Sequence, residues 1–346
     1  MSIKDRITSK QHHSEIIDKD RVIHRLKDNL ARLAEREKEL LTRLEVSEKE
    51  KEFSDAIDSE PRRDLINRVL DKTKGPSTAI LILTDWHIGQ VVKPEKVNGL
   101  NEFNLGVAEK RIKRCFQKTL HRLEVARTEA KIDTLVVALL GDFISGAIHE
   151  ELLESDECSP IEASIIVRDY LASGIEFLSK ESGCRLVVPC VSGNHGRTTK
   201  KIRVGTFEEN SYEHLIYHNL ARAFAGRKGI DFLISKGLHV DLMLQGRNIR
   251  FMHGHAIKYN GGVHGLGVPA SKAVNAWNKS KRADVTYFGH WHQFSDNEFW
   301  VACGCLVGYD PYSLFIKAEY QPPTQTFGVI NGKYGSVEAK KIFLEG

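Results

Sequence analysis

The chain has 346 residues, with 50 Lys and Arg against 46 Asp and Glu, a formal net charge of +4 and 41% hydrophobic residues. That length is enough for one large core plus an accessory segment, and the composition excludes a disordered or fibrous chain. The small positive charge is no nucleic-acid signature, the N-terminus has no apolar signal segment, and no apolar run approaches the roughly eighteen residues of a membrane span.

The six cysteines form no C-x-x-C pair and no scaffold spacing. Reduced thiols in a cytoplasmic protein without a membrane partner are therefore expected. Cys303-Gly304-Cys305 reads as part of a strand whose two thiols share a side as small buried groups.

Residues 1–75 are charge-rich and nearly free of aromatics. Ile23, Leu26, Leu30, Leu33, Leu40 and Leu44 recur in steps of three and four, with Glu37 in the skipped position. This is a heptad seam, expected as a coiled coil that pairs two copies into a homodimer. The other reading is a single helix packed back on the rest of the chain. Glu60-Pro61 reads as a break and Lys74-Gly75-Pro76-Ser77 as a linker, so 76–346 is expected to form a separate catalytic domain.

From residue 78 apolar runs alternate with helical segments. Asn104 is placed to cap a helix to about Lys131, with Ile112, Phe116, Leu120 and Leu123 on one face. Ser159-Pro160-Ile161-Glu162 combines a capping box with Pro at the first helical position, opening a helix to about Lys180. Thr206-Phe207-Glu208-Glu209 is a second capping-box candidate, for a helix ending near Gly226, and Pro269 opens another through Lys279. The tail then changes pattern. Phe299–Val307, Ser313–Tyr320 and the segments around Asn331-Gly332 read as antiparallel strands, with Asn-Gly as a hairpin turn. The expected class is α/β, with two packed, mainly mixed sheets and helices outside.

Five of the apolar runs end in polar residues. Ala79–Leu83 leads to Asp85 and His87, Leu135–Leu140 to Gly141-Asp142, and Leu186–Val191 to Gly193-Asn194-His195. Ile249–Met252 leads to His253-Gly254-His255, and Val285–Phe288 to Gly289-His290-Trp291-His292. Short apolar runs between helices read as buried parallel strands, and such sheets bind ligands beyond their strand carboxyl ends. In extended backbone, residues two apart point the same way. Asp85 with His87, and His290 with His292, are thus each expected to share a direction, with Trp86 and Trp291 turned into packing. Gly89, Gly141, Gly193 and Gly289 are expected to allow sharp turns. Asp85, His87, Asp142, Asn194, His253, His290 and His292 are too many ligands for one cation and enough for two. Asp142, with two oxygens, is the natural bridge. The oxygen and nitrogen donors suit Mn2+, with Zn2+, Fe or Ni2+ as alternatives.

As an ordered set, these motifs resemble the signature of the calcineurin-like metallophosphoesterase superfamily over about residues 78–295. The resemblance implies a four-layer fold of two sheets between helices. It implies one metal on Asp85, His87, Asp142 and His292, and a second on Asp142, Asn194, His253 and His290. It makes His195 the catalytic residue, oriented by an acidic partner that the sequence does not identify, with His255 supporting the ligands rather than joining them. The implied reaction is phosphoester hydrolysis by a hydroxide held between two cations.

Gly141-Asp142-Phe143-Ile144-Ser145-Gly146 and Gly193-Asn194-His195-Gly196 depart from the Ser/Thr protein phosphatase patterns. Asn194-His195 is shared with Mre11/SbcD-like nucleases, although Gly196 replaces their usual Asp. The whole is similar to a phage- or prophage-type enzyme. A phosphodiesterase that processes DNA is the expected function, with a phosphomonoesterase or protein phosphatase as the alternative and a non-catalytic scaffold as a third reading. The basic run 197–203 reads either as a track for a polyanionic backbone or as a solvated loop. The glycine-rich 260–267 reads as a lid or as a surface loop. The segment 146–151 reads as a substrate-side loop, with His149 in a structural role.

Overall fold

A computed structural model describes residues 3–58, 75–146, 148, 155–258 and 265–345. The Glu60-Pro61 break, Lys74, His149 with the rest of 149–151, and 260–264 lie outside the described residues. The chain divides into two compact units, Met1–Leu70 and Asp71–Gly346. In the first, α1 (Ile3–Asp58) is one continuous helix. Ile23, Leu26, Leu30, Leu33, Leu40 and Leu44 are all exposed along it.

The second unit contains two sheets. The larger has β1 (Pro76–Leu83), β2 (Lys131–Leu139), β3 (Arg185–Cys190) and β4 (Ile230–Ile234) in parallel. On the other side of β1, the hairpin β10 (Thr324–Asn331) and β11 (Val337–Phe343) adds antiparallel edge strands, giving the order β11-β10-β1-β2-β3-β4. The smaller sheet has the order β5-β6-β7-β9-β8, from β5 (His239–Leu244), β6 (Arg247–Met252), β7 (Val285–Phe288), β8 (Ser295–Asp296) and β9 (Trp300–Ala302). Here β6, β7 and β9 are parallel, and β5 and β8 are antiparallel edges.

Side-chain alternation sorts the apolar runs into three layers of core. Ile80, Ile82, Val136, Ala138 and Leu140 meet Ile249, Phe251, Tyr287 and Val301 between the sheets. The intervening Leu81, Leu83, Leu135 and Val137 point the other way, toward α2 (Leu105–Arg127) and α3 (Pro160–Glu181). Met252 and Phe288 pack outward against Ala270 and Val274 of α5 (Gly267–Asn278). Strands buried on both faces must be apolar at every position, which is why these runs do not alternate in sequence. The result is the expected pair of mixed sheets flanked by helices.

The caps hold in two helices. The Asn104 side chain accepts from Val107 N, and Ser159 and Glu162 form the full capping box. Other boundaries move. Pro76 and Ser77 already belong to β1. α2 stops at Arg127, whose guanidinium donates to Ile132 O, and Lys131 starts β2. Around Thr206 there are only the short 3-10 turns Val204–Thr206 and Glu208–Asn210, where Asn210 Nδ2 donates to Thr206 O, and α4 (Tyr212–Ala223) begins after Ser211. Within Phe299–Val307 only Trp300–Ala302 is strand, parallel to β7 and antiparallel only to the two-residue β8. Within Ser313–Tyr320 there is instead the end of α6 (Pro311–Phe315), because Asp310 Oδ1 caps it at Ser313 N, 2.7 Å away, with Pro at the first position. The β10–β11 connection is five residues long. Asn331 acts there through its side chain, which accepts from Lys333 N and Tyr334 N. Cys303 and Cys305 follow the end of β9 and face different cores.

Candidate metal centre

β1, β2, β3, β6 and β7 all deliver their carboxyl ends to one place, and the loops beyond them carry every expected ligand. The backbone there is not extended. Asp85, His87, Asp142, His290 and His292 have φ of +52°, +49°, +52°, +71° and +56°. Left-handed backbone costs a residue with a Cβ on the order of 1 kcal/mol, so five such residues at one site mark a strained arrangement held by its surroundings. Backbone bonds hold it: Asp85 N to Gly141 O at 3.0 Å, His87 N to Asp142 O at 3.0 Å and Ile88 N to Phe143 O at 2.9 Å.

This backbone corrects the expected pairing of directions. Asp85 and His87 do reach one cluster, but His290 and His292 diverge. His292 Nε2 lies 3.0 Å from His87 Nε2 and 3.5 Å from Asp85 Oδ1. The His290 ring faces His253 instead, with centroids 5.1 Å apart. Trp86 is fully buried, whereas Trp291 is half-buried beside α5. The glycines also differ from one another. Gly141 takes a left-handed turn, but Gly193 does not. Gly193 is small because a Cβ there would lie 2.2 Å from Asp142 Oδ1.

Two groups of donors result, Asp85 with His87 and His292, and Asp142 with His253 and His290. A third group joins Asp142 with His87 and His195, their donor atoms within 4.8 Å of one another, so Asp142 stands between the two. Asp142 Oδ2 is 2.9 Å from His253 Nε2, which is 3.1 Å from Asn194 Oδ1. His253 Nδ1 donates to Leu140 O at 2.7 Å, directing Nε2 inward.

The donors fit divalent cations. Asp85 Oδ2 accepts from Thr84 Oγ1 and His290 N, but Oδ1 is buried with no hydrogen-bond partner and faces two imidazole nitrogens. Buried lone pairs aimed at one another are costly unless a cation or proton lies between them. Burial and the neighbouring imidazoles hold His87 and His290 well below the usual histidine range, leaving them neutral as ligation requires.

His195 lies between the groups. Its N–H donates to Asp142 Oδ1 at 2.7 Å, and its Nδ1 donates to Ser145 O at 2.7 Å. The orienting partner is thus a backbone carbonyl, not the expected acid. His255 belongs to neither donor group, and its ring tilts against Phe207 at 5.1 Å. In the basic run, Arg197 is tied back to Asn194 O at 2.7 Å, while Lys200, Lys201 and Arg203 are exposed.

A calcineurin-like phosphoesterase family model matches residues 78–294. The chain belongs to the calcineurin-like phosphoesterase family. Among solved structures it is similar to a hypothetical protein, PH1004, from Pyrococcus horikoshii, at 9% identity and a TM-score of 0.35 over 78% of this chain and 89% of that one. It is also similar to Vps29 from Chaetomium thermophilum, at 13% identity and a TM-score of 0.29 over 77% and 95%. A protein of unknown function from Aquifex aeolicus, AQ665, aligns at 15% identity and a TM-score of 0.25 over 64% and 83%. A comparison with curated proteins found no match.

The charge balance at the centre follows from burial and from the facing charges. Burial opposes the charge of Asp142, but the facing His253 and His195 hold its carboxyl well below the usual carboxylate range. Burial likewise acts to lower His253, yet Asp142, Asp85 and Glu213 push it up to about 9. Because Nδ1 is committed to Leu140, that extra proton sits on Nε2, and a cation binding there must displace it.

Two supporting side chains escaped the sequence reading. Gln325 of β10 accepts from Thr84 N and donates to Thr84 O, fixing the Asp85 loop from a strand 240 residues away (325 − 85 = 240). Nothing local in the sequence signals it. Glu213 is fully buried on α4. Its Oε1 accepts from Phe143 N and its Oε2 from Gly193 N, both at 2.6 Å. It did carry a signal, being the one charge on the stripe Glu213, Ile216, Tyr217, Leu220. Burial and the nearby Asp142 push it up to about 8.

Proposed function

We propose that this chain is a two-metal phosphodiesterase, a nuclease that processes DNA in the presence of Mn2+. The observation that carries the reading is Asp142 standing between two buried donor groups at the joined strand ends of a calcineurin-like phosphoesterase. Asp85, His87, Asp142 and His292 would hold one cation, and Asp142, Asn194, His253 and His290 the other. Such a pair supplies Lewis acidity at the phosphoryl oxygens and makes a water acidic enough to act as a nucleophile near neutral pH.

The chain's own groups do the rest. Asp142 stays ionised at the middle of the site, and the neutral imidazoles of His87 and His290 present lone pairs. His195, with its Nδ1 proton held on Ser145 O and burial lowering its pKa, presents the Nε2 lone pair to the site, where it would take up the proton released by the attacking water and pass that proton to the leaving oxygen. The polynucleotide reading is supported by Lys200, Lys201 and Arg203, exposed on the loop that Arg197 ties to Asn194. Exposed cations beside a phosphate-cleaving centre suit a repeating polyanion.

The exposed seam of α1 supports a homodimer joined through this helix. Among the described residues no helix is long and apolar enough to cross a membrane.

The test is to incubate the protein with Mn2+ and, in parallel, bis-p-nitrophenyl phosphate, p-nitrophenyl phosphate, and labelled single- and double-stranded DNA. His87→Ala and Asp142→Asn serve as controls. Cleavage of the diester and of DNA, abolished by EDTA and by both substitutions, is the expected result. Turnover of the monoester alone would favour a phosphomonoesterase. No Mn2+ uptake by the intact protein would overturn both.

A further inference from the structure

We infer that Glu213, together with the absence of a side chain at position 196, forms a clamp that sets the spacing between the Asp142 and Asn194 loops. Glu213 is thereby a positioning residue for the cation pair. The inference rests on the two-cation reading of the cluster. The two loops leave different strands, β2 and β3, and no backbone hydrogen bond of the sheet reaches beyond Val191 N to Leu139 O to hold them in register. His195 ties them from the front, through its N–H to Asp142 Oδ1 and its Nδ1 to Ser145 O, and Glu213 adds a tie through both loop backbones. One carboxylate accepts from Phe143 N, next to Asp142, and from Gly193 N, next to Asn194. A single planar carboxyl group gripping both N–H groups fixes the separation of the loops. α4 is itself anchored to the β3 loop on both sides of Glu213, by Tyr212 N to Gly196 O at 2.8 Å and Tyr217 Oη to Val191 O at 3.1 Å.

Gly196 completes the clamp. Its φ is not left-handed, so the backbone does not require glycine there. A Cβ at 196 would lie 2.7 Å from Glu213 Cγ and 2.9 Å from Cδ. The empty side-chain position is the space in which the carboxylate sits. A buried carboxylate directly behind Asp142 is expensive in an apolar core.

Glu213→Gln tests this with little change of shape. The amide oxygen can accept one N–H, but the NH2 group confronts the other with a second donor. Titrating metal-free protein with Mn2+ by calorimetry should show affinity weakened roughly 10- to 100-fold, the usual effect of removing a group that orients ligands. kcat on bis-p-nitrophenyl phosphate should fall at saturating Mn2+, while KM changes little. Gly196→Ala, which pushes Glu213 aside, should reproduce both losses. In a Glu213→Ala background the Gly196→Ala change has nothing left to strike and should add no further loss.

Wild-type Mn2+ affinity in E213Q would overturn the clamp, even if melting temperature fell, because a merely structural role predicts that pattern. Additive losses in the double variant would overturn it too. Absence of Mn2+ uptake by the wild-type protein would instead remove the two-cation reading, and the clamp with it.

Discussion

Gly193→Ala is the most demanding substitution for the proposed geometry. The added Cβ would stand 2.2 Å from Asp142 Oδ1 and 2.3 Å from Asp142 N. Real Cβ contacts essentially never fall below 3.0 Å, so the two loops must separate by about 0.8 Å (3.0 − 2.2). Neither neighbour can yield cheaply. Asp142 Oδ1 holds His195 N, and Gly193 N is held by Glu213. A misplacement near 1 Å costs on the order of 10²-fold in rate, or about 2.7 kcal/mol of transition-state stabilisation. The overpacking itself should cost about 1–3 kcal/mol of stability. The assay is steady-state hydrolysis of bis-p-nitrophenyl phosphate at saturating Mn2+, with a thermal melt beside it. Gly205→Ala, where a Cβ meets nothing within 4 Å, is the control and should behave as wild type. Gly193→Ala within about threefold of wild type would refute the loop-to-loop contact as a determinant of the site.

Three further outcomes follow from the same structure. His195→Ala should lower kcat by roughly 10²–10⁴-fold and leave Mn2+ uptake intact. Loss of uptake would make His195 a ligand instead. Asp156 sits with Oδ1 buried and unpartnered, and burial pushes its carboxyl up to about 6. Its folded-state value lies above the ordinary 3.8, so it does not affect stability below about pH 4, and its penalty grows through pH 6 and persists above. Asp156→Asn should therefore raise Tm by about 2–4 °C at pH 8, from roughly 1 kcal/mol after allowing for partial exposure, and change nothing at pH 4. An equal rise at both pH values would contradict the titration argument. Deleting residues 1–60 should convert a dimer to a monomer in light scattering, and a full-length monomer would rule out pairing through α1.

That the candidate ligand residues would meet at one place was legible because each follows an apolar run, and a strand end is a fixed address in a parallel sheet. Their directions were not. The i,i+2 rule holds for extended backbone, and the five left-handed residues break it, sending His290 and His292 to different clusters. The outer and inner cores were readable as apolar runs, but which sheet each joined was not, since both faces of the central strands are buried. In the tail, apolar and aromatic residues suggested strand at Ser313–Tyr320, while the Asp310-Pro311 cap decided for helix. Glu213 was visible as an acid on an apolar stripe, but its partners, Phe143 and Gly193, lie on loops from other strands. No local pattern joins them.

Anomalous diffraction from crystals of the intact protein soaked in Mn2+ tests the central claim most directly. Two peaks are expected, one among Asp85, His87 and His292 and one among Asn194, His253 and His290, with Asp142 touching both. A single peak, or none, at saturating Mn2+ would contradict a two-metal phosphodiesterase.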